Sequence, residues 1–393
     1  MTRGREREVP PHKIIYKQYK ENFCKSHQQM VKYNRIGEGT YGCVIEPSLL
    51  CKTKQPKGTY RNKISKIMLT RHAKKEMDEY VLISRADPKK EYYLGKPTMC
   101  KIKNNTQTRK IIKKCKKSEK YLNDLDETSL LIMENGGINM SMLSDKIEKM
   151  KNTPQNRELI KRVLFEISRI FEGIQVFLKH DIVHHDLKPQ NIVYNSETDR
   201  MNFIDFGLMK RLSTSIQKSR KSTNWITQYA HWSYPLETQF LNRDKYMYFV
   251  NQSDAEKQEY VKQLVNNIYR DSNDKFTDAF YSLCSYIIDT NITESHATKI
   301  REHILYDYIE FILKDMRTDN YEEIMKRSFH TYDTYGFGMG ISRLVFSAKQ
   351  LLNAELYDEL SGFSYGLVHP NVLKRLTVED AIRTYDEILK MHF

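Results

Sequence analysis

The sequence predicts an α+β protein in two parts, a small β-rich one followed by a larger helical one. The first third carries short β-branched runs around a glycine-rich turn, "RIGEGTYGCVIEP" and "NKISKIML". The rest carries apolar residues at three- and four-residue steps, which is typical of amphipathic helices. The chain has 393 residues, of which 39% are hydrophobic, enough for a large two-lobed domain or two ordinary domains.

The net charge indicates the kind of partner, and the cysteines indicate the redox setting. A net charge of +14 favours anionic partners, although a soluble basic protein whose charge affects only solubility is an equal alternative. The six cysteines contain no C-x-x-C pair, so zinc-ribbon spacing is absent and the number is too small for a disulfide scaffold. We expect reduced cysteines in an intracellular, by default cytoplasmic, setting. From the charged N-terminus we expect no signal peptide, and no apolar run suggests a membrane span.

Composition divides the chain into three stretches, two of which carry an insertion. Residues 1–30 form a charged extension, residues 31–134 a β-rich lobe, and residues 135–393 a helical lobe. A basic run at 96–120 interrupts the first lobe, and a long helical stretch rich in Tyr and Phe occupies 238–330.

Two helices and one strand are predicted most clearly. A helix is expected over 71–85, with Met77, Val81 and Leu82 on one face. The clearest helix covers 156–180, where apolar residues repeat regularly. Between them, "TSLLIMENGG" reads as an apolar strand that ends in a glycine pair.

The first chemical motif is "GEGTYGCV", with Gly37, Gly39 and Gly42 followed by Val44. Glycines allow a hairpin backbone to lie close to phosphates, so that its N–H groups face the anion. The pattern alone is weak, because it also fits dinucleotide-binding turns and ordinary loops. A dinucleotide-binding turn leads into a helix, whereas "CVIEP" continues as a strand, which disfavours that alternative.

Lys66 lies inside the apolar strand "KISKIML", where its amine could meet a polyphosphate or simply face solvent. Two carboxylates downstream, Glu76 and Glu79, could hold it extended. We prefer Glu79, because the apolar residues that follow it would let the predicted helix dock.

The stretch "IVHHDLKPQN" places three reactive side chains within six residues. Asp186 can orient or deprotonate a hydroxyl, Lys188 can neutralise a phosphate, and Asn191 can bind a metal through its amide oxygen. Further on, "FIDFG" ends a strand at Asp205 beside a glycine, a position that suits a carboxylate ligand of Mg²⁺. Each has an alternative as ordinary turn chemistry, but the ordered combination favours phosphoryl transfer.

Together "GEGTYGCV", "ISKI", "HHDLKPQN" and "DFG" resemble the eukaryotic-type Ser/Thr protein kinase family over roughly 31–393. The resemblance implies a two-lobed protein-kinase-like fold with ATP and Mg²⁺ as cofactors. It further implies that Asp186 is the catalytic base assisted by Lys188, that Glu79 anchors Lys66, and that Asn191 and Asp205 bind Mg²⁺. The implied nucleotide-binding residues are Ile36, Gly37, Glu38, Gly39, Thr40, Tyr41, Gly42, Val44, Lys66, Glu134 and Gly136.

The resemblance extends to positions outside these motifs. Met133 would be the gatekeeper, followed by backbone that hydrogen-bonds adenine from Glu134 to Gly136. Asp333 in "YDTYGFG" would support the catalytic-loop backbone. Arg375 in "HPNVLKRLT" would pair with a Glu after the activation segment, for which Glu237 in "SYPLE" is the candidate.

The substrate class follows from the form of the loop. Lys188 in D-L-K-P-x-N resembles Ser/Thr rather than tyrosine kinases, so protein Ser/Thr hydroxyls are the expected acceptors, with acidic targets weakly favoured by the basic surface. His185 stands where most of these kinases carry an Arg that receives an activation-segment phosphate. We therefore hypothesise that activity does not require phosphorylation of that segment; the alternative is that His185 simply packs there.

Several alternatives stay open. The chain could be a pseudokinase scaffold that binds partners through its insertions, or a kinase-fold enzyme acting on a small molecule. The basic run 96–120 is a solvated insertion or a docking site for an acidic protein or nucleic acid, although missing aromatics leave nucleic acid unsupported. The stretch 238–330 is a packed subdomain or a substrate-docking element. The composition also resembles divergent kinases of large DNA viruses, which would make a virion location an alternative.

Overall fold

The computed structural model describes residues 32–39, 42–53, 60, 62–222, 231–270, 274–289 and 291–393. The predicted extension 1–30, Thr40 and Tyr41 lie outside the described residues. The chain forms two compact units. The first contains the described residues up to Lys74 together with Pro97–Asn135, and the second contains Lys75–Lys96 and Gly136–Phe393. The domain boundary expected at residue 134 stays a prediction.

The first unit is built on an antiparallel five-stranded sheet. Its strands, in chain order, are β1 (Asn34–Glu38), β2 (Gly42–Glu46), β3 (Lys63–Leu69), β4 (Thr98–Lys101) and β5 (Thr128–Glu134). Their order across the sheet is β1-β2-β3-β5-β4. Apolar side chains such as Ile45, Ile67 and Leu130 are fully buried against one face, as strand patterning predicts.

The basic run is folded rather than a plain solvated insertion. After β4 it forms two short helices, Thr106–Ile112 and Ser118–Leu122. Ile111, Ile112 and Tyr121 are buried in the same core as the sheet, while most of the basic side chains are exposed. We call residues 104–123 the inserted helix pair.

Two disulfides hold this unit together, so the expectation of reduced cysteines was wrong for four of the six. Cys43 is bonded to Cys115, and Cys51 to Cys100, across sequence separations of 72 and 49 residues. Such pairs cannot be identified from spacing, because only the sheet brings their Cβ atoms into bonding range. Cys284 is a buried free thiol.

The helix expected over 71–85 is present as Thr70–Ala86. Its predicted face is wrong, because Met77, Val81 and Leu82 are only half-buried. The buried face instead carries Ala73, Glu76, Tyr80 and Ile83. These lie at steps of three and four residues, and the buried carboxylate disguises the stripe in the sequence.

The second unit is mostly helical, as expected. The long helix Pro154–Lys179 confirms the prediction over 156–180. It begins at a Thr153 cap and has proline in its first turn, where the missing N–H costs nothing. The other helices are Met140–Glu148, Leu212–Arg220, Arg243–Val250, Asp254–Tyr269, Lys275–Ile287, Glu294–Glu310, Tyr321–His330, Tyr332–Ala348, Ala354–Leu367 and Val378–His392.

Short strands position the loops of this unit. Ile192–Asn195 pairs with Ile138–Asn139 and with Arg200–Phe203, and Ile182–Val183 pairs with Lys210–Arg211. These ladders fix both ends of the "HHDLKPQN" loop and the start of the "DFG" turn.

The described residues of the stretch 238–330 pack into the second unit. Phe280, Tyr308 and Ile324 are at most 1% exposed and belong to the main core. Tyr321 donates a hydrogen bond to the carbonyl of Ser219 or Leu241, at 3.1 Å to either oxygen. Among the described residues, no helix combines the length and apolar character needed to cross a membrane.

Candidate active site

The glycine motif forms the turn of the β1–β2 hairpin. The Gly39 N–H donates to the Gly42 carbonyl at 2.9 Å, which closes the turn. A Cβ atom at Gly42 would lie 2.9 Å from both Cγ and Cε of Lys66, so a larger residue would push against that lysine. The glycine is therefore required by close packing within the sheet as well as by the turn.

Lys66 occupies the middle of β3. It is paired with Val44 on one side and Leu131 on the other, and only 8% of it is exposed. Burying a lysine is costly unless its amine is satisfied, so the position favours a charged role over an ordinary surface lysine.

Glu38 lies at the turn, but its side chain binds the inserted helix pair. Its carboxylate accepts hydrogen bonds from the N–H groups of Lys116 at 2.7 Å and Lys117 at 2.9 Å, and from Arg35 at 3.0 Å. Burial alone would raise the pKa of Glu38, but these donors hold it below its usual value. A role in nucleotide binding, as the sequence predicts, would therefore fall to its backbone.

The end of β5 is held by polar contacts. Glu134 is paired with Lys63, and the N–H of Asn135 donates to the carbonyl of Asn62 at 3.0 Å. Of the other predicted nucleotide-binding residues, Ile36 is 42% exposed and Val44 is half-buried. In the second unit, Gly136 packs so closely that a Cβ would meet Leu94 at 2.8 Å.

The "HHDLKPQN" loop brings its three predicted side chains together. Lys188 Nζ lies 2.9 and 3.0 Å from the two carboxylate oxygens of Asp186. Asn191 Nδ2 donates to the Asp186 carbonyl at 2.7 Å and to its carboxylate at 2.9 Å. The two amide hydrogens of Asn191 are thus directed at Asp186, which leaves its amide oxygen as the atom suited to a cation.

Asp333 holds the backbone of this loop through hydrogen bonds. Its carboxylate accepts the N–H of His184 at 2.7 Å and of His185 at 3.0 Å, which confirms the sequence prediction. Burial raises the pKa of Asp333, and the two N–H donors oppose that rise. His184 in turn lies 3.0 Å, through Nε2, from the carbonyl of Ile204, so one network links the loop to the "DFG" turn.

Asp205 begins that turn in a left-handed conformation, with φ of 61°. Non-glycine residues rarely adopt this region, and outliers of this kind concentrate at functional sites. The N–H of the preceding Ile204 donates to the carbonyl of Asn191 at 3.0 Å, which places Asp205 next to Asn191. Phe206 is 1% exposed and packs edge-on against Tyr80, with ring centroids 5.5 Å apart.

The burial of the helix Thr70–Ala86 bears on whether Glu76 or Glu79 is the carboxylate that holds Lys66. Glu76 is 3% exposed, and its Oε2 would lie 3.7 Å from a Cβ placed on Gly207, beside the Asp205 turn. Glu79 is half-buried. Of the apolar residues that follow Glu79, Ile83 is fully buried and Leu82 is half-buried. The choice between the two carboxylates stays open, and the deeper burial of Glu76 favours it.

The oxygen donors present suit Mg²⁺. Asn191 offers an amide oxygen and Asp205 a carboxylate, both hard ligands, and the hydrogen bond from the Ile204 N–H to the Asn191 carbonyl joins the segments that carry them. Among the described residues, no group of three or more His, Cys, Asp and Glu side chains could hold a metal alone. A cation here would therefore need further oxygens from phosphate and water, which is the usual arrangement for Mg²⁺ with a nucleotide.

His185 is packed as an aromatic ring. It stacks on Tyr332 with a centroid distance of 4.8 Å and an interplanar angle of 7°, and it meets Tyr234 edge-on. It is 5% exposed. Burial, with Lys210 and His184 nearby, lowers its pKa to about 3, so the ring is neutral at pH 7. This geometry favours packing over phosphate binding.

The expected contact between Arg375 and Glu237 is confirmed. Two parallel hydrogen bonds of 2.8 and 2.9 Å join them, and neither side chain is exposed. Glu237 in "SYPLE" is therefore the partner of Arg375.

Sequence reasoning missed an aromatic contact beside the loop. Trp232 stacks on Tyr286 with an interplanar angle of 2°, and Gln190 of the loop donates to the Tyr286 hydroxyl at 3.3 Å. A cavity of about 340 Å³ lies nearby, lined by residues that include His231 and Phe276. Only the aromatic richness of 238–330 hinted that this stretch could reach the loop.

Comparison with known proteins gives the same family as the motifs. The family model described as "Protein kinase domain" matches residues 30–230, just over half of the chain. A "probable casein kinase I homolog" of Encephalitozoon cuniculi (strain GB-M1) is 31% identical over 74 residues, which is 19% of this chain and 24% of that protein. "Serine/threonine-protein kinase 17A" of Oryctolagus cuniculus is 32% identical over 102 residues, 24% of each chain.

These matches span about a quarter of the length of each relative. The small antiparallel sheet of the first unit and the mostly helical second unit are those of a two-lobed kinase fold. With its family model, its fold and its loop geometry in agreement, the chain belongs to the protein kinase domain family.

Proposed function

We propose that this chain is an active protein kinase that transfers the γ-phosphate of Mg·ATP to Ser or Thr hydroxyls of protein substrates. The observation that carries the proposal is the Asp186, Lys188 and Asn191 cluster, joined by hydrogen bonds of 2.7 to 3.0 Å. A scaffold has no need to keep a buried carboxylate, a lysine and an amide in this mutual geometry.

Each residue then has a chemical role. Asp186 orients the acceptor hydroxyl and takes its proton. Lys188, held by Asp186, neutralises charge on the transferring phosphate. Lys66 and the N–H groups of the glycine hairpin bind the other phosphates, and Glu134 and Gly136 contact the adenine through their backbone. Phosphoryl transfer needs little covalent chemistry from the protein, so positioning and charge stabilisation supply most of the rate.

Asn191 and Asp205 would hold Mg²⁺. The ion, when bound, neutralises the phosphate oxygens. The left-handed backbone at Asp205 and the hydrogen bond from the Ile204 N–H to the Asn191 carbonyl support this role, because they join the backbone segments that carry the two residues. Glu76, buried beside the same turn, is our candidate for the carboxylate that orders Lys66, with Glu79 as the alternative.

The Ser/Thr assignment is supported by Lys188 and by the name of one relative, "Serine/threonine-protein kinase 17A". The proposed partner is a protein acceptor, and the basic surface of the first unit weakly favours acidic targets.

The test measures transfer of labelled γ-phosphate from ATP to a generic protein acceptor in the presence of Mg²⁺. The wild type should label the acceptor, and phosphoamino-acid analysis should find phosphoserine or phosphothreonine. Asp186→Asn and Asp205→Ala should lower the rate by roughly a hundredfold or more. Asp358→Asn, on an exposed helix position, is the matched control and should keep full activity.

A nucleotide-binding measurement distinguishes an active kinase from a pseudokinase scaffold. A wild-type chain that binds Mg·ATP but transfers no phosphate would be a pseudokinase scaffold. Phosphotyrosine as the main product would overturn the Ser/Thr assignment and leave the catalytic assignment standing.

A further inference from the structure

The inserted helix pair contacts the glycine-rich hairpin at both of its strands. All of these contacts lie within the first unit, so they do not depend on how the two units are arranged. Three separate links are present: a carboxylate, a disulfide and a lysine.

The first link is the Glu38 carboxylate. It accepts the N–H groups of Lys116 and Lys117 at 2.7 and 2.9 Å, and the Glu38 side chain is 7% exposed. Lys117 is the N-cap residue of the helix Ser118–Leu122. Amide groups at the start of a helix lack intrahelical partners, and here a residue of the glycine turn supplies the acceptor. The turn and the inserted helix pair are therefore ordered together.

The second link is the Cys43–Cys115 disulfide. Cys43 directly follows Gly42 on β2, and Cys115 lies between the two inserted helices. The third link joins the Lys114 side chain to the carbonyl of Tyr33, just before β1. Both strands of the hairpin are thus tied to one element.

The inserted helix pair is itself packed into the core of the first unit. Ile111 and Ile112 are 5% and 0% exposed, and Tyr121 is fully buried in the sheet core. A glycine-rich turn has large conformational entropy, which a ligand must overcome when it orders the turn. Links to an anchored element reduce that entropy before the ligand arrives.

We propose that the inserted helix pair positions the glycine-rich hairpin for nucleotide, with Glu38 and the Cys43–Cys115 disulfide as the positioning groups. This inference rests on the proposed function, because it takes the hairpin to bind Mg·ATP. Its consequence is that nucleotide affinity depends on the thiol redox state. A dithiol reductant gives two electrons and two protons to the Cys43–Cys115 disulfide. The products are two cysteine thiols and the reductant in its oxidised, disulfide form.

Kinetic measurements distinguish a positioning role of the inserted helix pair from a purely structural one. Loss of positioning raises the dissociation constant and the KM for ATP while kcat is little changed, because the "HHDLKPQN" loop is untouched. Loss of folded protein instead lowers the amount of active enzyme and leaves the KM of the remainder unchanged.

The first experiment uses Glu38→Gln. The amide presents an NH₂ group to one of the two N–H donors, so one hydrogen bond is lost and one repulsive contact is created. The dissociation constant of a fluorescent ATP analogue with Mg²⁺ should rise roughly tenfold. Glu119→Gln, at an exposed position on the same inserted helix, is the control and should bind like wild type. Unchanged affinity in a folded Glu38→Gln protein, judged by circular dichroism, overturns the proposal.

The second experiment uses the other disulfide as a matched control. Wild type and the Cys51→Ser/Cys100→Ser double variant should both lose affinity, several-fold, when dithiothreitol reduces the Cys43–Cys115 bond. Cys115→Ser should bind weakly from the start and not respond to the reductant. Thiol titration confirms complete reduction. A wild type that keeps its affinity after full reduction, or a double variant that no longer responds, overturns the proposal.

Binding and transfer separate this inference from the proposed function. A chain that binds nucleotide without transferring phosphate overturns catalysis alone, and the affinity measurements still decide the positioning role. A wild type that binds no nucleotide overturns both.

Discussion

The guanidinium of Arg375 donates hydrogen bonds of 2.8 and 2.9 Å to the carboxylate of Glu237, and both side chains are fully buried. Ser328 also donates to this carboxylate, at 2.7 Å, and Arg375 donates to the carbonyl of His369. The pair joins the segment after the candidate catalytic loop to the last part of the chain, 138 residues away. Breaking one side of such a pair leaves an uncompensated buried charge.

We therefore expect Arg375→Ala to lower the free energy of unfolding by about 3–5 kcal/mol, measured by denaturant titration. Arg383→Ala is the control. Arg383 pairs with Asp380 on the surface with 66% of its side chain exposed, so its removal should cost at most about 1 kcal/mol. Equal effects of the two substitutions would show that the buried pair contributes no more than a surface pair.

His185 should make the protein less stable in acid. Its pKa is about 3 in the folded protein against 6.5 for the ordinary group, so the unfolded chain binds the additional proton between these values. Stability therefore falls as the pH falls from 6.5 towards 3, and His185 should contribute about 2 kcal/mol of the loss at pH 5.

His185→Phe keeps the stack on Tyr332 and removes the titration. The variant should lose about 2 kcal/mol less stability than wild type between pH 7 and pH 5. Only the change with pH is compared, so a constant cost of the substitution does not matter. Parallel pH profiles for the two proteins would refute the assignment.

Activity should not need phosphorylation of the segment after the "DFG" turn. His185 is neutral and enclosed by Tyr332 and Tyr234, so it offers no cationic fork for a phosphate. Ser215 and Ser219 are 1% exposed, which hinders their modification in the folded protein. Thr223 and Thr227 lie outside the described residues.

Phosphatase-treated protein, verified by mass spectrometry, should keep the specific activity of untreated protein. Activity that disappears on dephosphorylation and returns on rephosphorylation would contradict this expectation.

Gly336 lies against the candidate catalytic loop. A Cβ atom there would overlap the carbonyl oxygen of Leu187. Gly336→Ala should therefore displace the backbone beside Asp186 and lower kcat by at least roughly tenfold. Gly362→Ala is the control, because no atom lies within 4 Å of its Cβ position. It should keep the activity and gain about 0.5–1 kcal/mol of stability from its helical position. Normal kcat in the Gly336 variant would show that the loop adjusts freely.

The role of the stretch 238–330 in substrate docking can be tested at Tyr286. Deleting the whole stretch would remove part of the core, since Phe280 and Tyr308 are buried in it. Tyr286→Ala instead removes the stack on Trp232 and the contact with Gln190 at a half-buried position on the edge of the core. The KM for a protein acceptor should rise several-fold while the KM for ATP stays constant. Tyr248→Ala, 73% exposed, is the control. Equal changes in both KM values would indicate a structural role.

Local features of the site were predictable from the sequence. Lys188 and Asn191 lie within five residues of Asp186, so the short chain between them limits where they can be. The helix Pro154–Lys179 followed from its periodicity, and the strand Thr128–Glu134 from its apolar run. Asp333 and Arg375 came from the family resemblance, since no local pattern connects them to residues more than 130 positions away.

Other features depended on which side of an element is buried. Glu76 and Glu79 are three residues apart on one helix, and the sequence pattern did not show that Glu76 is the more deeply buried of the two. The disulfides were missed for a related reason: Cys43 and Cys115 are 72 residues apart, and no spacing rule identifies such a pair.

The order of residues along the chain is thus enough to predict the family chemistry of Asp186, Asn191 and Asp205, because that chemistry is concentrated in short segments. The link from Glu38 to Lys116 and Lys117, the stack of Trp232 on Tyr286 and the packing of His185 on Tyr332 arise only on folding. Each joins segments far apart in sequence, and each depends on burial, which removes water as the competing partner for those groups.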